Sequence, residues 1–171
     1  MVREPYFNRT YEHYSSHRET PYQVEDSPYP AVLKNGNIVF LAHALDRLYT
    51  NHGVRLHREL LKNVINMLYP DPILRVENLP SAGRVNLLQQ GNENRYVVHL
   101  LYSPPLQRGE VRVIEDFLPV PNVGIQLRVP EAVKQAYMIP GKQSLDLSSD
   151  QGTVSVTVPE FTMHTGVVFE Y

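Results

Sequence analysis

His13 and His17 stand four residues apart in the stretch Glu12-His13-Tyr14-Ser15-Ser16-His17-Arg18-Glu19. On a helix that spacing puts both rings on one face, at metal-ligand reach, with Glu12 and Glu19 as candidate third ligands. Two nitrogens alone are an incomplete site, and the commoner fate of such histidines is a hydrogen bond within a loop or interface. A second polar group, His43, Asp46, Arg47, Tyr49 and His52, follows directly on an apolar run. Ligands collect at the carboxyl ends of strands in open α/β sheets, and Asp46, Arg47 and Tyr49 would suit sugar hydroxyls. The plainer reading is a polar loop with an Asp46–Arg47 charge pair at its surface. Glu115 and Asp116 are adjacent, so on a strand they point to opposite faces. They cannot flank a glycosidic bond as an acid pair.

Several classes of chemistry drop out. No Gly-x-Ser-x-Gly elbow, P-loop or GxGxxG motif occurs, which leaves nucleophilic-serine and nucleotide chemistry without support. With no cysteine, disulfides, thiolate catalysis and cysteine-held zinc are excluded, and no cofactor is expected. The net charge of -2 argues against a nucleic-acid or anionic-membrane partner, which would call for clustered Lys and Arg. No apolar run reaches the roughly 18 residues of a membrane span. Met1-Val2-Arg3-Glu4-Pro5 is not followed by the apolar stretch of a signal peptide, and a cytoplasmic setting is the expectation.

The elements that must position these residues come in two grammars. Ile38–Leu41 follows a turn at Asn35-Gly36 and reads as a buried strand. After Gly53 a helix is expected, because Leu56, Leu60, Leu61, Val64, Met67 and Leu68 recur every three or four residues. Pro70 and Pro72 end it, and His57, Arg58 and Lys62 fall on its solvated side. This is half of a strand–crossover–strand unit, and its parallel partner strands are missing. Residues 1–32 are a Tyr- and Pro-rich arm, with Arg9–Ser16 as a short helix and Thr20–Ala31 extended. Tyr6, Tyr11, Tyr14 and Tyr22 read as an assembly surface ahead of a sugar platform, since tyrosine is common at interface hot spots and the chain has no tryptophan.

From Ile73 the period becomes two. Ile73–Val76, Arg84–Gln90, Arg95–Tyr102, Glu110–Ile114, Val123–Val129, Val133–Ile139, Ser144–Leu147, Thr153–Val158 and Thr165–Phe169 read as strands. Residues 91–94 and 148–152 read as hairpin loops. The fold class expected is α+β: the remnant of an α/β domain over residues 1–72, then an antiparallel β-sandwich over residues 73–171.

Three stretches together carry a family resemblance: Tyr6-Phe7-Asn8-Arg9-Thr10-Tyr11-Glu12-His13-Tyr14-Ser15-Ser16-His17-Arg18-Glu19-Thr20-Pro21, Gly36–His43 with Tyr49 and His57-Arg58, and Pro70-Asp71-Pro72. They resemble the last part of large bacterial glycoside-hydrolase-like proteins, in the neighbourhood of family-42 β-galactosidases and fucosidase-like hydrolases. There a (β/α)8 catalytic barrel precedes a flavodoxin-like "β-galactosidase trimerisation" domain and a small β-sandwich. The resemblance implies a flavodoxin-like remnant here, no catalytic residues in this chain, and two partners: the upstream barrel and further copies of itself. In the family pattern a further histidine stands where this chain has Glu19. The expected role is a non-catalytic assembly region, with a saccharide-binding sandwich as the alternative.

Overall fold

The computed structural model describes residues 3–14 and 20–171, and it divides where the hydrophobic period changes, into Met1–Asp71 and Pro72–Tyr171. In the first unit the arm folds back on itself. Pro5 and Tyr22 form an antiparallel bridge, flanked by Tyr6 N–H donating to the Pro21 carbonyl at 3.1 Å and Gln23 N–H to that of Glu4 at 2.8 Å. Residues 9–14 do not form the expected helix. The His13 N–H donates to Thr10 Oγ1 at 3.0 Å and the Thr10 N–H to the His13 carbonyl at 2.9 Å. Such local closure by a hydroxyl competes with helical bonding.

β1 (Val32–Asn35) and β2 (Ile38–Leu41) then form an antiparallel hairpin. Its two-residue turn has Gly36 at φ 57°, a backbone state that glycine adopts without steric cost. The expected buried parallel strand is thus one arm of a hairpin, with Ile38 72% and Phe40 60% exposed. Local closure through Gly36-Asn37 wins because a short loop costs little entropy.

Two helices follow instead of one: α1 (Leu45–His52) and α2 (Arg55–Leu68). Leu45 is buried and Leu48 half-buried. Gly53 ends α1 instead of starting α2: at φ 66° its N–H donates to the Tyr49 carbonyl at 2.8 Å, a left-handed C-terminal cap. Val64 is the buried residue of α2. Leu56 is 76% exposed, and Leu60, Ile65, Met67 and Leu68 are exposed as well.

The second unit comprises β3 (Leu74–Glu77), β4 (Arg84–Gln90), β5 (Arg95–Tyr102), β6 (Leu106–Arg108), β7 (Val111–Val113), β8 (Pro119–Arg128), β9 (Gln135–Ile139), β10 (Gln143–Leu145), β11 (Ser148–Asp150) and β12 (Thr153–Glu170). The two strands expected at 153–158 and 165–169 are one continuous strand of 18 residues. Its C-terminal half lies in the order β10-β9-β12-β5-β4. Its N-terminal half pairs with β8 and β11, and β8 pairs with β3. β6 and β7 form a separate hairpin.

Both β8 and β12 change face at proline. Val123, Ile125 and Leu127 are buried on β8, as are Val154, Val156 and Val158 on β12. Beyond Asn122 (φ 54°) and Pro159 the alternation shifts by one, so that Val120 and Phe161 become the buried pair. Because the shifts stand opposite each other, the register survives while the ribbon turns from one sheet into the next.

The core runs between the two sheets through Val98, Leu100, Val120, Ile125, Val158 and Phe169. Each such side chain, fully withdrawn from water, stabilises by about 1.5–3 kcal/mol. Tyr96 is buried at its margin, and its hydroxyl donates to Glu131 at 2.9 Å. Burial, then the bond to Glu131, push the phenol up to about 12. Gly166 is buried on β12 where a Cβ would fall 2.7 Å from Ile139 Cγ1.

Two outcomes follow for the sandwich. Gly166→Ala should cost about 1–3 kcal/mol in urea unfolding, because the branched Ile139 cannot retreat without leaving its rotamer. Tyr96 ionises at higher pH folded than unfolded, so its contribution is complete below about pH 10 and is lost as pH rises through about 12. Over that window the urea midpoint of wild type should fall further than that of Tyr96→Phe.

Candidate functional site

The group read as a ligand-binding loop falls mostly on α1. Asp46 is in its first turn and His52 in its last, with Arg47 and Tyr49 between, His43 before the helix, and all five exposed. Asp46 and Tyr49, three apart, share a helix face; Arg47 faces elsewhere. The strand-end argument fails, because β2 belongs to a hairpin and not to an open parallel sheet. What forms here is a surface charge group: Arg58 Nη2 donates to Glu59 Oε1 at 2.8 Å, and this bond holds the Glu59 carboxyl below its ordinary range. His57, expected on the solvated face, is half-buried.

The other expectations fare as follows. Tyr6, Tyr11, Tyr14 and Tyr22 are all exposed, Tyr11 fully. His13 packs near Phe7, with ring centroids 6.4 Å apart. His17 and Glu19 lie outside the described residues, and the helix that would have aligned His13 with His17 is not formed over residues 9–14. Among the described residues no group of three or more His, Asp or Glu side chains is placed to hold a metal ion. Glu115 and Asp116 lie in the irregular stretch after β7 and not on a strand. Arg108 holds Glu115 with Nε at 3.1 Å from both carboxylate oxygens and Nη2 at 2.6 Å from one. A carboxylate clamped in this way is poorly suited to proton transfer.

The sandwich carries two polar surfaces that the sequence did not single out. On the outer face of the five-stranded sheet, the Tyr137 hydroxyl donates to Glu170 Oε1 at 2.7 Å, and the Gln135 amide also donates to that carboxylate. These bonds, Tyr137 foremost, hold the Glu170 carboxyl below its usual range, while the same contact raises the Tyr137 phenol. Further along that face His99 Nδ1 and His164 Nε2 stand 3.0 Å apart. They are separated by 65 residues, so nothing short of the strand register could have paired them from sequence.

The second surface is a depression of about 360 Å³ on the other sheet, ringed by Glu77, Gln126, Asp146, Ser148, Ser155 and Thr157 over Gly124. No lysine or arginine lines it among the described residues. Carboxylate, amide and hydroxyl groups without a cation suit a neutral, hydroxyl-rich ligand better than an anion.

No family model matches the sequence, and no curated protein matches it either. A solved structure, alpha-L-fucosidase isoenzyme 2 from Paenibacillus thiaminolyticus, is similar to it, with a TM-score of 0.87 at 31% identity. The match covers 99% of this chain and 26% of the fucosidase. The chain is similar to a quarter of a glycoside hydrolase. That likeness supports the glycoside-hydrolase part of the family resemblance and a β-rich α+β fold, and not its family-42 β-galactosidase part.

Proposed function

We propose that this chain is a non-catalytic assembly region of a glycoside hydrolase. The observation that carries the reading is the apolar surface left in contact with water in the first unit. Leu56, Leu60 and Met67 lie along one exposed stripe of α2, and Ile38 and Phe40 are exposed on β2. Exposed apolar side chains grouped along one helix face mark a site for another protein surface. The chain spans 26% of the fucosidase it resembles, and in this reading the surface meets the remainder of such a parent.

In this reading the hairpin and helices supply the assembly surface, and the sandwich is the C-terminal domain of the parent. The apolar stripe packs against the parent's own barrel or a second copy, and Tyr6, Tyr11, Tyr14 and Tyr22 extend that surface. Glycoside chemistry belongs to the barrel. Of the two parent activities implied by the resemblance, likeness to an alpha-L-fucosidase favours an α-L-fucoside over a β-galactoside.

Light scattering after size exclusion should find the isolated chain as a homo-oligomer. A clean monomer at micromolar concentration would overturn self-association. Leu56→Asp with Leu60→Asp should dissociate it with little change in stability, since exposed helix positions tolerate substitution within about 0.5 kcal/mol.

The depression beside Asp146 favours a second reading, a saccharide-binding sandwich. Calorimetric titration with L-fucose and galactose separates the two. The assembly reading expects no saturable heat, whereas saturation that disappears in Asp146→Ala assigns the sandwich to sugar binding.

A further inference from the structure

Where β4 begins and β5 ends, the five-stranded sheet is flanked by two stiff segments. Ahead of β4 the Gly83 N–H donates to the Pro80 carbonyl at 2.7 Å, closing a turn through Ser81 and Ala82. A Cβ on Gly83 would fall 2.5 Å from Leu79 Cγ, so the turn is pressed onto a side chain that packs against the core. After β5 the chain leaves through Ser103-Pro104-Pro105, where the proline rings fix φ. The register sets Arg84 opposite Leu101. Between the two segments lies a depression of about 570 Å³, with Arg84, Ser81 and Ser103 among Leu101, Pro104 and Pro105. Its chemistry is the reverse of the depression beside Asp146: one cation lines it and, among the described residues, no carboxylate does. Arg84 is exposed and has no carboxylate partner among the described residues, whereas Arg58 is held by Glu59 and Arg108 by Glu115. The Ser103 hydroxyl is buried without a hydrogen-bond partner among those residues, an arrangement that costs stability.

We propose that this depression binds a uronate, a sugar ring carrying one carboxylate. The guanidinium fork of Arg84 matches a carboxylate through two parallel N–H···O bonds. A lone guanidinium neutralises such a monoanion and would leave a phosphate dianion half-compensated. Leu101, Pro104 and Pro105 offer apolar surface to the C–H face of the ring. Ser81 can donate to a ring hydroxyl or accept from one. Ser103 gains the partner it lacks by turning its hydroxyl to another staggered position. An aromatic carboxylate would use the fork and the apolar wall but leave both serines unanswered. The site lies wholly within the second unit, and it does not depend on the assembly surface of the first.

The test is titration of the isotope-labelled full chain with D-galacturonate, D-glucuronate, galactose and benzoate at neutral pH, followed by amide NMR shifts. A ligand of this size should reach a dissociation constant of about 1 mM. At least one uronate should give saturable shifts centred on residues 81–84 and 101–103, with none from galactose and weaker binding of benzoate. Arg84→Gln should weaken uronate binding at least tenfold, Arg84→Lys less, and Arg112→Gln not at all. Ser103→Ala should weaken it about threefold with a urea midpoint no lower than wild type, because the hydroxyl removed is unpaired in the free chain. Absence of saturable shifts with either uronate, or equal affinity in Arg84→Gln, overturns the site. Galactose or benzoate bound as tightly as the uronates overturns the assignment of the ligand.

Discussion

Backbone hydrogen bonding along β12 is the constraint on which the second unit depends. One strand supplies the ladder partner for β8 and β11 in its first half and for β5 and β9 in its second. A sandwich of two independent sheets is held together by side chains alone. Here the sheets also share a covalent, hydrogen-bonded spine, and Val158, Phe161, Val167 and Phe169 along it all face the common core. Losing the pairing at either end would expose apolar side chains of both sheets and leave buried N–H and C=O groups unsatisfied.

The first unit contrasts with this. Its buried apolar side chains are few, Leu45 and Val64 among them, while the stripe of α2 and the arm of β2 remain in water. So small an interior offsets little of the conformational entropy that opposes ordering the segment. The arm does close locally through the Pro5–Tyr22 bridge and the Arg3–Asp26 ion pair at 3.8 Å. Contacts this exposed contribute little by themselves.

The sequence was most legible where turn chemistry and alternation agreed. Arg84–Gln90 and Arg95–Tyr102 have the expected bounds, since Asn94 in the left-handed region lets the chain reverse between them. It misled where two rules conflicted. Pro159 reads as a strand terminator, yet β12 runs through it because Pro121 and Asn122 make the matching shift on the neighbouring strand. α1 was hidden by Thr50, Asn51 and His52, poor helix formers that Gly53 nonetheless caps. Ile38–Leu41 has the composition of an inner strand, and the Gly36-Asn37 turn decided otherwise. The His99–His164 pair and the depression beside Asp146 rest on register across distant strands, which no local pattern encodes.

The shared spine also sets an order of events during synthesis. Every other strand of the sandwich leaves the ribosome before β12 does. Until it arrives, β5 has only β4 beside it and β8 only β3, and the valine-rich edges at Val97-Val98 and Val123–Leu127 stand open to any neighbouring chain. Nascent sandwiches of this design are therefore most vulnerable to mispairing in the interval before β12 emerges, when the fold itself does not yet cover those edges.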